Sequence, residues 1–197
     1  MLQVFKWTGF EWRKIEGERL DYISVGSDGE CWGVLDNKVY RYDPWRMTFV
    51  EKAAPKMRAV SVGTGRKIWG VGEDLQVWKF RGGNRWKKRG DIKMQQISVG
   101  ADGHAWAIEH GHPDHVYRWR SFENVWERVP SSLRLKHISV GSRGSVWGVS
   151  EETGMLHRWD TEAMTWIPTN LDSKMVLGKV SASSEGTVIA AREWEQK

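Results

Sequence analysis

A basic residue stands third in five short apolar runs: Lys6 in Val4-Phe5-Lys6-Trp7, Arg41 in Val39-Tyr40-Arg41-Tyr42, Lys79 between Trp78 and Phe80, Arg118 between Tyr117 and Trp119, and Arg158 between His157 and Trp159. Such a cation can donate hydrogen bonds to the hydroxyls of a polar ligand, and a tryptophan offers a flat apolar face to the C–H surface of a sugar. Tryptophan recurs with the same regularity, at Trp32, Trp69, Trp106 and Trp147. In an extended strand alternate residues share a face. The five cations therefore lie with Val4, Val39, Val77, Val116 and Leu156, opposite the aromatic residues that flank them. Two roles stay open for the cations, a stem packed between repeats with its charge satisfied by a neighbour, or a donor in a pocket between repeats. The tryptophans divide in the same way, between core and pocket wall. Trp45, Phe122 and Trp194 fall in connections outside this pattern and are candidates for exposed aromatics.

Other chemistry finds less support. His104, His110, His112 and His115 are concentrated around Glu-His-Gly-His-Pro-Asp-His, but the group occurs once, is interrupted by Pro113 and has no second set of ligands. A solvated loop is expected there, and no metal site. No Ser-His-Asp order, phosphate-binding glycine loop or spaced carboxylate pair repeats along the chain. Neither catalysis nor a cofactor is expected.

The elements that must hold these residues are written five times. Ile23 to Val34 reads ISVGSDGECWGV, and its copies are VSVGTGRKIWGV from Val60, ISVGADGHAWAI from Ile97, ISVGSRGSVWGV from Ile138 and the worn VSASSEGTVIAA from Val180. Successive copies start 37, 37, 41 and 42 residues apart, the range in which one repeat is one supersecondary unit that cannot bury its core alone. Each copy opens with a short strand, turns at a glycine and enters a second strand at Trp32, Trp69, Trp106, Trp147 or Ile189. A third strand carries the basic residue, and a fourth follows at Phe49, Trp86, Trp126 or Trp166. Gly29, Gly103, Gly144 and Gly186 share one turn position that calls for positive φ, with Gly65 marking a shifted turn in the second copy. Four short antiparallel strands per period of about 40 residues describe a blade of an all-β propeller.

The whole chain, residues 1–197, reads as a single domain. Complete units span about 22–57, 58–94, 95–135 and 136–176. Residues 177–197 supply only strands one and two, and residues 1–21 only strands three and four. Joined, they make a fifth blade, so a five-bladed ring closed by pairing the two terminal fragments is expected. Longer links at Glu109–His115 and Ser150–Gly154 are expected to form loops on one face.

The recurring I/V-S-V-G, x-x-G-x-x-W-G-V and V-Y-R-Y/W blocks resemble the tectonin repeat of β-propeller lectins from slime moulds, fungi, horseshoe crabs and fish eggs. The resemblance implies a non-enzymatic, multivalent carbohydrate-binding protein whose partners are glycans on cell surfaces or glycoconjugates, O-methylated glycans of bacteria and nematodes among them. Lys6, Arg41, Lys79, Arg118, Arg158, Trp32, Trp69, Trp106 and Trp147 are the ligand-binding candidates. The worn copy, with Ile189-Ala190-Ala191 for Trp-Gly-Val, is the one least suited to hold a site. A scaffold for protein partners is the alternative.

Composition agrees with this frame. The net charge is +5 with a pI near 9.3, but the cations are spread around the repeats and make no continuous backbone track, so a nucleic-acid partner is not expected. Fourteen tryptophans in 197 residues suit cores or stacking surfaces. No apolar run approaches a membrane span, the N-terminal residues lack a signal-peptide pattern, and the single Cys31 fits a reducing compartment, so a cytoplasmic monomer without membrane insertion is expected. Cys31 is read as a small packed hydrophobe.

Overall fold

The computed structural model describes residues 3–17, 19–169 and 176–192; Trp194 lies outside them. The secondary structure is all strand. The N-terminal fragment forms β1 (Phe5–Trp7) and β2 (Trp12–Lys14), paired antiparallel. Blade one holds β3 (Tyr22–Val25), β4 (Cys31–Leu35), β5 (Lys38–Asp43) and β6 (Thr48–Lys52). Blade two holds β7 (Met57–Thr64), β8 (Lys67–Gly72), β9 (Val77–Phe80) and β10 (Trp86–Lys88). Blade three holds β11 (Met94–Val99), β12 (Ala105–Glu109), β13 (His112–Arg120) and β14 (Val125–Arg128). Blade four holds β15 (Leu135–Ser142), β16 (Ser145–Ser150), β17 (Leu156–Asp160) and β18 (Thr165–Pro168), and the worn copy forms β19 (Leu177–Ala182) and β20 (Val188–Arg192). Each complete blade is a four-stranded meander in chain order.

The first strands of all five copies face one cavity of about 510 Å³, the centre of the propeller. Its construction explains the I/V-S-V-G block. The Ser24 hydroxyl accepts the Val62 amide of the next blade, and the same bond recurs from Val99 to Ser61, Val140 to Ser98 and Ala182 to Ser139, all at 2.9–3.0 Å. The glycine that follows lets neighbouring blades converge. A Cβ on Gly63 would come within 2.1 Å of the Gly100 carbonyl oxygen, and one on Gly141 within 1.9 Å of that of Ser183.

Between blades the tryptophans form triads. Trp32 meets Phe80 and Trp86, Trp69 meets Trp119 and Trp126, and Trp106 meets Trp159 and Trp166, with centroids 5.1–6.1 Å apart and mostly edge to face. Trp32, Trp69 and Trp106 thus each plug into the aromatic pair on strands three and four of the next blade, a geometry that adds to the burial of the rings themselves; Trp147 has no such pair against it. Trp32, Trp69 and Trp106 are all buried.

The terminal fragments dock where their repeat positions require. Val4 and Ile15 pack with Leu20, Leu35, Tyr40 and Phe49 of blade one, while Leu177 and Val180 pack with Val149 and Leu156 of blade four. Among the described residues the expected join between them is not formed: β1–β2 and β19–β20 are separate two-stranded sheets. The Trp7–Trp12 pair stands ready at 5.5 Å, yet both rings are exposed, as is Ile189 on the other side. Trp147, the strand-two ring of blade four that the repeat would place against this pair, packs instead on the cluster of Val149, Leu156, Leu177 and Val180, and pairing β20 with β1 must close a loop of nearly the whole chain.

Two further expectations are corrected. Gly29, Gly103 and Gly186 have φ of 80–90°, but Gly144 does not lie at positive φ. In blades two and four the hairpin is tighter, with Thr64 opposite Lys67 and Ser142 opposite Ser145. Its amide is bound from outside, Gly65 donating to Asp28 at 2.8 Å and Arg143 to Asp102 at 2.6 Å. The wider turns thus carry an aspartate that clamps the tight turn of the following blade. The link around His112 is also no loop. β12 and β13 run into a hairpin at His110-Gly111, with a register shift at Ile108/Glu109 absorbing the extra residues.

Candidate functional site

The same groove opens in successive blades, between the hairpin joining strands one and two and the turn joining strands three and four. In blade three it has a volume of about 310 Å³, with Trp106, Arg118 and Phe122 on one side and Arg143, Trp159 and Thr161 of blade four on the other. In blade two a groove of about 330 Å³ holds Lys67, Lys79, Phe80 and Arg81 at the equivalent positions. Of the residues singled out by sequence, Lys79, Arg118 and Trp106 therefore reach grooves.

The others are placed differently. Arg41 is held by Glu30, its Nε and Nη2 donating to the two carboxylate oxygens at 2.6 and 2.8 Å. The Nζ of Lys6 lies 5.1 Å from the Tyr42 ring centroid. Arg158 is exposed, and its charge helps hold the neighbouring Asp160 carboxyl below its usual value, behind the larger effect of the Ala163 and Glu162 amides. Trp32 and Trp69 lie in the core and present no free face. Trp147 is half-buried and its indole N–H donates to the Ser145 hydroxyl at 3.3 Å. Arg118 itself is paired, its Nε donating to Glu127 at 2.6 Å.

The structure adds a feature that the repeat alignment did not pick out. Phe10, Trp45 and Phe122 all stand three residues after the last aromatic of strand three, in the turn into strand four. They are 93%, 94% and 101% exposed. The turn in blade one is built by Asp43, whose carboxylate accepts the amides of Trp45 and Arg46 at 2.9 and 3.1 Å, and those bonds hold its carboxyl below the usual range. Positions Gly83 and Glu162 interrupt the aromatic series in blades two and four. The signal available in the sequence was the fixed offset of three from Trp7, Tyr42 and Trp119.

His112, Asp114 and His115 come together, with potential ligand atoms within 4.8 Å of one another. Their contacts are internal. His115 Nδ1 meets Glu109 at 2.8 Å, Asp114 meets Arg128 at 3.6 Å, and the two imidazoles stack at 4.7 Å. Cys31 has its thiol pushed up to about 11, chiefly by burial and further by Glu30 against an opposing effect of Lys6, so it is no ready thiolate.

The fold is a β-propeller with similar grooves in blades two and three and an exposed aromatic, Phe122, at the turn beside the second of them. The comparisons assign its family. The Tectonin domain model matches residues 2–82 and 56–190, and the chain belongs to the tectonin-domain family. It is 51% identical to Tectonin-1 of Physarum polycephalum over 41 residues, which is 20% of this chain and 18% of that protein. Among solved structures it resembles a streptogramin B lyase (TM-score 0.67, 14% identity, 92% of this chain and 66% of that one). It also resembles the WD40 propeller domain of Doa1 (0.64, 13%, 91% and 63%) and YCF48 bound to D1 peptide (0.58, 19%, 86% and 58%). At these identities the likeness concerns the fold alone, and the chain spans about two thirds or less of each of those structures.

Proposed function

We propose that this chain is a non-catalytic, multivalent saccharide-binding protein whose sites are the grooves beside the turns between strands three and four. The observation that carries the reading is the recurrence of Phe10, Trp45 and Phe122, fully exposed rings at one repeat position. An exposed ring costs hydrophobic stabilisation unless a ligand covers it, and the C–H face of a pyranose is a fitting cover. Beside Phe122 the groove offers guanidinium donors from Arg120 and Arg143 and a hydroxyl from Thr161, groups that orient a sugar through its hydroxyls. Tectonin membership points to O-methylated glycans as the class to test first, since a methyl ether suits an aromatic wall next to hydroxyl donors.

Several weak sites on one ring gain their use from avidity on a surface dense in glycan. A protein acting on foreign surface glycans from the cytoplasm is consistent with this design. A scaffold for protein partners is the competing reading, and the likeness to a propeller bound to a peptide is what favours it. An array that includes O-methylated saccharides distinguishes the two: the proposed function requires retention of a defined glycan, and a scaffold requires none.

A further inference from the structure

The strand-three cations are not equivalent, and the difference lies in their counter-charges. In blade one Glu30 accepts the Trp32 indole N–H at 2.6 Å and also both donors of Arg41. In blade three Arg118 is neutralised by Glu127, directly across the strand pair, and Arg120 by Glu123. In blade two both neutralising positions carry lysine. Lys67 stands two residues before Trp69, where Glu30 stands before Trp32, and Lys87 lies opposite Lys79 where Glu127 lies opposite Arg118.

The donors that Glu30 satisfies in blade one are nevertheless kept in blade two. Trp69 is fully buried and its indole N–H, like those of Trp78, Trp86, Trp159 and Trp166, has no partner. The Lys79 ammonium lies 4.9 Å from the centroid of the same ring. The groove beside them is lined by Arg66, Lys67, Lys79 and Arg81 and by no carboxylate. Glu30 and Asp28 approach its rim at Gly65, but the oxygens of Glu30 are taken by Trp32 and Arg41, and Asp28 is bound to the Gly65 amide. Burial, and after it the charges of Lys67, Arg89 and Arg81, push the Lys79 ammonium below its usual pKa, with no acidic group among the causes.

We propose that the blade-two groove binds an oxyanion in the place that the Glu30 carboxylate fills in blade one, with Lys79 and Lys67 as donors. That the anion arrives as a sulfate ester on a saccharide rests on the proposed function; the anion site itself does not. An anion with several acceptor oxygens can satisfy the two ammonium groups at once, and such charge-assisted bonds are the stronger class.

The test is calorimetric titration of the full chain with inorganic sulfate, galactose 6-sulfate and galactose. Lys67→Glu copies the blade-one arrangement and so should fold. Lys93→Glu applies the same charge change at an exposed position elsewhere, and Lys79→Met provides a second disruption. Sulfate binding that weakens at least about tenfold in Lys67→Glu and Lys79→Met but survives in Lys93→Glu supports the site. Galactose 6-sulfate binding more tightly than sulfate supports the saccharide; equal affinities would overturn that part. Absence of sulfate binding to the native chain, or its persistence in Lys67→Glu, would overturn the site. So would tight binding of a thymidine oligonucleotide, lost in Lys67→Glu, without binding of either sulfate ligand. Neutral glycans titrated into the same preparations report on the other grooves, so failure of the anion site and failure of the lectin reading give different results.

Discussion

The hydroxyl of Ser61 accepts the amide of Val99 across the boundary between blades two and three at 3.0 Å, inside the propeller centre where Ser61 is buried. No strand ladder serves that boundary, so the serine supplies the acceptor that a neighbouring strand would otherwise give. Ser61→Ala leaves a buried amide unpaired and should cost about 1–3 kcal/mol. Urea unfolding at constant m-value checks it, and an unchanged midpoint would show that the seam draws no strength from this bond.

Trp69 fills the space between the Trp119 and Trp126 rings. Trp69→Ala opens a cavity in this aromatic triad and should destabilise by about 3–5 kcal/mol. Trp69→Phe should recover part of that loss. Thermal melts of the two variants rank them, and equal melting temperatures would contradict the triad as a stabilising unit.

His137 faces the propeller centre with its ring nitrogen 3.4 Å from the Val180 amide. Burial first, then the Lys179 charge, lowers its pKa to about 4. The folded state therefore keeps the ring neutral between about pH 4 and the unfolded value near 6.5, while the unfolded chain takes up the proton. Stability is full above that window and falls as pH drops through it. His137→Gln installs the residue that Gln96 provides in blade three, where it bonds both the amide and the carbonyl of Ile138. The variant should lose this part of the pH dependence. An unaltered slope of stability between pH 4 and 6.5 would assign the effect elsewhere.

The repeat spacing made the strands, the blade order and the tryptophan core legible, because a fixed nine-residue step from Ile23 to Trp32 or Ile97 to Trp106 sets one hairpin register. Contacts between blades were harder to read. Nothing local to Gly144 reveals that Asp102, 42 residues earlier, binds the neighbouring Arg143 amide and removes the need for positive φ. Nor does the run of like-signed cations disclose which are neutralised, since Glu30 sits on strand two's approach and Glu127 on strand four. Phe10, Trp45 and Phe122 share the offset of three from Trp7, Tyr42 and Trp119, but that spacing does not disclose that their rings are left uncovered.

The terminal hairpin β1–β2 covers the apolar surface of Leu20, Tyr40 and Phe49. Removing residues 1–15 should lower the melting temperature and promote self-association through the uncovered surface and strand edge. Scattering and melting curves on the truncated chain check this; a stable monomer with the native melting temperature would contradict the role assigned to the fragment.

The central claim is that exposed turn aromatics mark separate saccharide sites. It is tested most directly by titrating a glycan retained on the array into the native chain and into Trp45→Ala and Phe122→Ala. Both rings are fully exposed, so neither change should move the melting temperature by much. The account predicts more than one equivalent bound by the native chain and the loss of one equivalent in each variant. Full stoichiometry and affinity in both variants would contradict it.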